Sequence, residues 1–274
     1  MNQPTPRTAA RPPEPELTGV RNFRDMGGLR TGDGRRVRAG RLFRSGHLAH
    51  ATPADTAFLA SLGLRTVIDF RNASDMALEG QDVELPGVRN VNMPLSDPRA
   101  GDGFWRMVRN GDVDTLREAL GDGRAAAAMT RSYATLIRDR TAEHARLLDL
   151  LVDGEVPALV HCAAGKDRAG TSIAIVLLAL GVRQEEITTD YLLSNDPHRR
   201  YRIQRGKNAE PVTNAEVNEL LSPLFEARAQ YLRGAFDAIE EGWGSADRYL
   251  ADGLGLTGER RERLRTLLLE EDNR

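Results

Sequence analysis

A chain of 274 residues with 40% hydrophobic content is long enough to bury a sizeable core in one large domain or two small ones. Its formal net charge of −2 gives no global field to draw in nucleic acid or an anionic membrane, so neither is an expected partner. A single cysteine excludes an intramolecular disulfide, and the fold needs no oxidising compartment.

Residues 1 to 16, "MNQPTPRTAARPPEPE", are proline-rich and lack an apolar core, which predicts a disordered leader rather than a secretory signal. The rest, 17–274, reads as one domain. "VRNFRDMGGL" is a short extended run ended by Gly27 and Gly28, and Asp33-Gly34 between alternating segments predicts a hairpin. Thr52 then caps a helix with Pro53 at its first position. "RTVIDFR", Arg65 to Arg71, predicts a buried parallel strand, and "VRNVNMPLS", Val88 to Ser96, a further strand. From about Val113 to Val152 apolar residues recur at helical spacing, and Gly154 ends the pattern. "VPALVH" predicts a strand. "AGTSIAIVLLALG" predicts a helix that is apolar almost all round, hence buried. Its apolar run is too short for a bilayer, which takes ~20 residues, so no membrane insertion and a cytoplasmic location are expected. Strands alternating with helices predict an α/β fold.

The C-terminal third is helical by pattern. "EVNELLSPLFEARAQYLRGAFDAIEEG" predicts one amphipathic helix, with Val217, Leu221, Leu224, Leu232, Phe236 and Ile239 near one face. A polar, Arg-rich stretch, "DPHRRYRIQRGKNAEPVTN", precedes it. This insertion, roughly 197–250, reads either as a lid or as an ordinary packed layer. "RRERLR", Arg260 to Arg265, sits among acids and reads as a solvated helix face.

The segment "ALVHCAAGKDRAGTSIAIVLLAL" holds the one cysteine, Cys162, and Lys166, one of two lysines in the chain. A buried strand delivers His161 and Cys162 to a turn of small residues, Ala163, Ala164 and Gly165. After Lys166 and Asp167 a helix begins near Arg168. Such a loop points backbone N–H groups at one spot, and the helix dipole adds positive charge there, which suits a tetrahedral dianion. Arg168 can grip two phosphate oxygens with its planar fork. The same field stabilises a thiolate, and a thiolate facing phosphorus is a nucleophile. His-Cys-x-x-Gly-x-x-Arg in a strand–loop–helix setting is the signature of cysteine-dependent phosphatases.

"HCAAGKDRAG" resembles the loop of the bacterial tyrosine phosphatases related to mycobacterial protein tyrosine phosphatase B. "TGVRNFRDMGGL", "GRLFRSGHL", "TVIDFR" and "DYLLSN" resemble other stretches of that family, in the same order. The resemblance runs from about Leu17 to Leu268. It implies a phosphatase α/β fold with a central, mostly parallel sheet and a helical lid. It also implies hydrolysis of phosphotyrosine through a phosphocysteine, releasing inorganic phosphate. The family's breadth extends to phosphoserine, phosphothreonine and phosphoinositides. Catalytic roles fall on Cys162, Arg168 and Asp167, with Asp167 as general acid. Asp97, in "MPLSDP", is the alternative acid, at a place where many dual-specificity phosphatases carry theirs. Asp69 resembles a family aspartate near the loop and is expected to orient Lys166 or the loop. His161 is expected beneath the loop, tuning the thiolate. Lys166 either meets a second phosphate at the rim or is held by Asp69 or Asp167.

No cofactor is implied, and the remaining histidines show no metal-ligand spacing with acids, so no metal is predicted. One residue departs from the family: relatives usually carry threonine or serine just after the loop arginine, and here it is Ala169. That substitution keeps a second reading open, a catalytically weak phosphate-binding module. A thiol redox enzyme would need a resolving cysteine that the chain lacks, and the Arg168 spacing disfavours a sulfur transferase.

Overall fold

The computed structural model describes residues 17–96, 102–201, 204–205, 210–211 and 214–272. The leader 1–16 and much of the Arg-rich stretch after 201 lie outside the described residues, as does Asp97. In chain order the elements are β1 (Arg24–Asp25), β2 (Arg35–Val37), β3 (Leu42–Ser45), α1 (Pro53–Ser61), β4 (Thr66–Asp69), α2 (Ala73–Glu79) and β5 (Arg89–Asn92). Four helices follow, α3 (Asp102–Asn110), α4 (Val113–Leu120), α5 (Arg124–Asp139) and α6 (Thr141–Val152), and then β6 (Ala158–His161). After β6 come α7 (Arg168–Leu180), α8 (Gln184–Leu192), the short pair β7 (Gln204–Arg205) and β8 (Glu210–Pro211), and α9 (Ala215–Phe225). The chain ends with α10 (Ala229–Trp243), α11 (Ala246–Arg248), α12 (Gly258–Leu268) and β9 (Leu269–Glu271).

The fold is α/β. Five strands form one sheet in the order β1-β3-β6-β4-β5, parallel throughout except for the antiparallel edge strand β1. β6 is central, with His161 level with Ser45 on one neighbour and Asp69 on the other. All four of its residues are buried, as a strand covered on both faces requires. One face carries the main core, where α7 is buried along every residue after Arg168. The other face packs Phe23, Phe43, Val67 and Leu159 against α1. Helix α1 begins at Thr52 with a full capping box to Asp55, as the Thr-Pro pair predicts.

Two expectations need correction. The Asp33-Gly34 turn exists, with Thr31 N–H donating to Arg35 O at 2.9 Å, but the strand after it pairs chiefly with β9 at the other end of the chain. There Leu269 pairs with Val37 in a small antiparallel sheet, and Arg36 holds Glu270 at 2.8 Å. The helix expected over 216–242 is two helices. Pro223 removes one amide from its last turns, and Asn195 pairs with both backbone groups of Ala227, at 2.7 and 2.8 Å, holding the break open. α10 joins the main core through Tyr231, Leu232 and Ala235. α9 shares a separate small cluster with α3 and α4, built on Val108, Leu116, Leu120, Val217 and Leu221. Among the described residues no helix is long and apolar enough to cross a membrane.

Candidate active site

The loop from Cys162 to Asp167 leaves the C-terminal end of the central strand and enters α7 at Arg168, where the residue pattern places it. Gly165 sits at φ +69°, and a Cβ there would lie 2.3 Å from Ser45 O, so only glycine fits. The carbonyls of residues 163 to 166 are turned outward. Ala163 O accepts from the His47 N–H at 3.1 Å, and Ala164 O from Asn22 Nδ2 at 3.1 Å. Gly165 O accepts from Arg44 Nη2 at 2.7 Å, and Lys166 O from the same atom at 3.4 Å. Among the described residues, no acceptor takes the N–H groups of residues 163 to 168. Carbonyls out and amides free is the geometry of an anion-binding nest, placed on the N-terminus of a 13-residue helix. Cys162 sits at its base, 2% exposed.

Behind the nest lies a second layer of buried charge. Arg24 and Arg44 share Asp190, at 3.1 and 3.2 Å, and all three are buried. Burial and the neighbouring Arg24 push the Arg44 pKa down to about 10, against the pull of Asp190. The guanidinium remains charged at neutral pH, so two arginines face one carboxylate. The surplus positive charge lies beneath the site where a dianion would bind.

Arg168 is held by groups outside its own loop. Its Nη1 donates to Asp75 Oδ2, to Phe70 O at 3.3 Å and to Ser96 Oγ at 3.3 Å, while Nη2 donates to Asp75 Oδ1 at 3.3 Å. Burial opposes its charge, but Cys162 and Asp75 outweigh burial and raise its pKa above the ordinary arginine value. Among the described residues Nε has no acceptor, which leaves one edge of the fork for an oxyanion. Asp75 is itself fixed as the third residue of α2, in a capping box with Asn72.

Asp167 and Lys166 meet each other. Lys166 Nζ donates to Asp167 Oδ1 at 2.5 Å, and the Tyr133 hydroxyl donates to the same oxygen at 2.6 Å. Lys166 is 3% exposed, so its ammonium is buried in this contact rather than spread over the rim. Asp69 is not on Lys166. It holds Arg71, whose Nε and Nη2 lie 3.0–3.1 Å from its carboxylate. His161 is fully buried, with Nε2 3.0 Å from Asp82 and Nδ1 3.6 Å from Asp69. Burial works against the Asp82 carboxylate, but His161 and Arg71 outweigh it and lower its pKa. Asp69, Asp82 and His161 are spaced closely enough to ligate a cation, within 4.8 Å of one another. The Arg71 guanidinium already supplies the positive charge there, 3.0 Å from Asp69 and 2.9 Å from Asp82.

Ala169 is fully buried. Of the two hydroxyls that follow it, Ser172 Oγ is turned to α6, 3.2 Å from His144 Nε2. Thr171 Oγ1 is buried with no partner among the described residues.

Asn22, Arg44, Asp75, Tyr133, Tyr191 and Asp190 escape the sequence reading. One signal was present: an arginine inside the apolar strand "RLFRS" must have buried partners. Asp75 gave no such signal, since the arginine it holds lies 93 positions away.

Residues 15–270 match the tyrosine phosphatase family. A protein of Cupriavidus necator assigned as a tyrosine-protein phosphatase is 35% identical over 255 residues, covering 86% of this chain and 82% of its own. The triple specificity protein phosphatase PtpB of Mycobacterium tuberculosis is 34% identical over 278 residues, covering 93% of this chain and 98% of its own.

Proposed function

This chain belongs to the tyrosine phosphatase family and is a protein-tyrosine phosphatase, and from that premise we propose that it works through a phosphocysteine on Cys162. The observation that carries the mechanism is the outward-turned carbonyls of residues 163 to 166 around a buried Cys162 at the head of α7. The free amides and the Nε edge of Arg168 bind three phosphate oxygens. Cys162 Sγ attacks phosphorus from beneath, and the phenoxide oxygen leaves on the opposite side, taking a proton from Asp167. Water then attacks the phosphocysteine, Asp167 recovers the proton, and the thiolate departs as inorganic phosphate forms. The amides and Arg168 hold the charge of the equatorial oxygens through both steps.

The substrate class is phosphotyrosine in proteins. Phosphoserine, phosphothreonine and phosphoinositides are proposed as further substrates, a reading supported by the triple specificity in the name of the mycobacterial relative. Cys162→Ser is expected to abolish turnover of p-nitrophenyl phosphate while keeping phosphate binding. Measurable hydrolysis by that variant would sink the mechanism. A phosphotyrosine peptide and a monophosphorylated phosphoinositide assayed side by side decide the breadth.

A further inference from the structure

We infer that Tyr133 is a positioning residue for Asp167, and that Tyr191 in turn fixes Tyr133. The inference rests on the reading of Asp167 as the group that protonates the leaving oxygen.

Two donors converge on one oxygen of that carboxyl. Tyr133 Oη and Lys166 Nζ both donate to Oδ1, at 2.6 and 2.5 Å. Among the described residues Oδ2 accepts from no side chain or amide. A proton placed on Oδ1 would face the hydrogens of both donors, so the transferable proton belongs on Oδ2. Asp167 also stands immediately before α7, where an aspartate ordinarily accepts from the first helix amides. Its side chain makes no such cap. The carboxyl has been drawn to Tyr133 instead, and the amides at the head of the helix are left for the phosphate.

The direction of the chain follows from counting hydrogens. Tyr133 on α5 and Tyr191 on α8 are buried, and their hydroxyls are 2.7 Å apart. A phenol has one hydrogen to donate. Tyr133 spends its own on Asp167, so Tyr191 must donate to the Tyr133 oxygen. Burial, and after it the charge of Asp167, raises the pKa of both phenols, so both keep their protons at any working pH. The rings are locked too: Tyr191 meets Tyr133 edge-on at 6.1 Å, and Tyr231 of α10 packs against the same ring at 5.8 Å. Three helices distant in sequence thus converge to hold one carboxyl.

Removing the Tyr133 donor should loosen the aim of the Asp167 carboxyl. The test compares wild type, Asp167→Asn, Tyr133→Phe and Tyr191→Phe on aryl phosphates whose leaving phenols run from acidic to basic. Asp167→Asn is expected to steepen the dependence on the leaving group, losing about 100-fold or more in kcat on the most basic phenol. Tyr133→Phe is expected to steepen it in the same sense, losing about tenfold in kcat with KM little changed. Tyr191→Phe follows with a smaller effect, and it decides the matter if Tyr133→Phe fails to fold. If Asp167→Asn steepens the dependence and the two tyrosine variants leave both the slope and kcat unchanged, the positioning role is overturned and the acid remains. If Asp167→Asn itself leaves the slope unchanged, the acid reading falls, and the role of Tyr133 with it.

Discussion

Ala169 is the residue at which chemistry and family pattern part. The family resemblance implies a hydroxyl here to assist the departing thiolate, and this chain has a fully buried methyl instead. Ser172 is turned toward α6, with its oxygen 3.2 Å from His144 Nε2. Thr171 holds the remaining buried hydroxyl of this turn. The first step, which uses the loop amides, Arg168 and Asp167, keeps all its groups. The second step of the proposed mechanism finds no hydroxyl at position 169 for the sulfur. Wild-type enzyme is therefore expected to release a burst of p-nitrophenol equal to the enzyme present, followed by a slower steady rate. Ala169→Ser should shrink the burst and raise the steady rate by about three- to tenfold, the worth of one hydrogen bond to a charged group or somewhat less. Stopped-flow absorbance measures both, and a wild type with no burst and a serine variant with unchanged kcat would refute the assignment.

At the scale of elements, the phosphate loop is shaped from outside by β1 and β3. One buried arginine of β3 carries most of this load: Arg44 Nη1 takes Asp190 at 3.2 Å, and Nη2 takes Gly165 O at 2.7 Å. A lysine has the charge but not the planar fork whose two nitrogens reach these acceptors separately. Arg44→Lys is expected to weaken inhibition by inorganic phosphate about tenfold or more and to cost roughly 3–5 kcal/mol, the toll of leaving a buried charge partly unpaired. Phosphate inhibition constants and urea denaturation check the two parts, and a variant with wild-type phosphate affinity would separate Arg44 from the loop. This scaffold marks the limit of what was legible in the chain. The loop itself, from His161 to Arg168, could be read because its chemistry is contiguous and its flanks are a strand and a helix of strong pattern. The structure places Cys162, Asp167 and Arg168 together between β6 and the head of α7. Arg44, Asp75 and Tyr133 could not be found that way, because they reach the loop across 121, 93 and 34 positions of sequence. The β2–β9 pairing failed for the same reason, since its strands are too short to show a period and meet from opposite ends of the chain.

For the whole molecule, the decisive variable is pH, because the structure buries a neutral histidine against the helix that forms the site. His144 on α6 is fully buried beside Ser172, and burial pushes its pKa from 6.5 down to about 3. The folded protein therefore holds this imidazole neutral, while the unfolded chain protonates it below about 6.5. Between those values the unfolded state binds one more proton, so stability rises with pH and is lost on acidification, by about 1.4 kcal/mol per pH unit from this group. Glu79 and Asp82 act in the same direction at lower pH. Burial disfavours their charge, but His47 and Tyr201 around Glu79, and His161 and Arg71 around Asp82, lower both pKa values. Their contribution is present above the unfolded carboxyl range, near 4, and fades below it. The loss between pH 6.5 and 5 is thus assigned to His144 before the carboxylates begin to count. His144→Gln should be less stable at pH 7.5, since it disturbs a close-packed site, yet its unfolding free energy should fall less steeply down to pH 5, with the slope differing from wild type by about one proton. Urea denaturation at four pH values measures that slope directly. Parallel slopes for the two proteins would show that the neutral histidine is not what the fold protects. The consequence for activity is specific: acid should inactivate this phosphatase by loosening α6 from α7, and with it the head of the helix on which Cys162 and Arg168 depend.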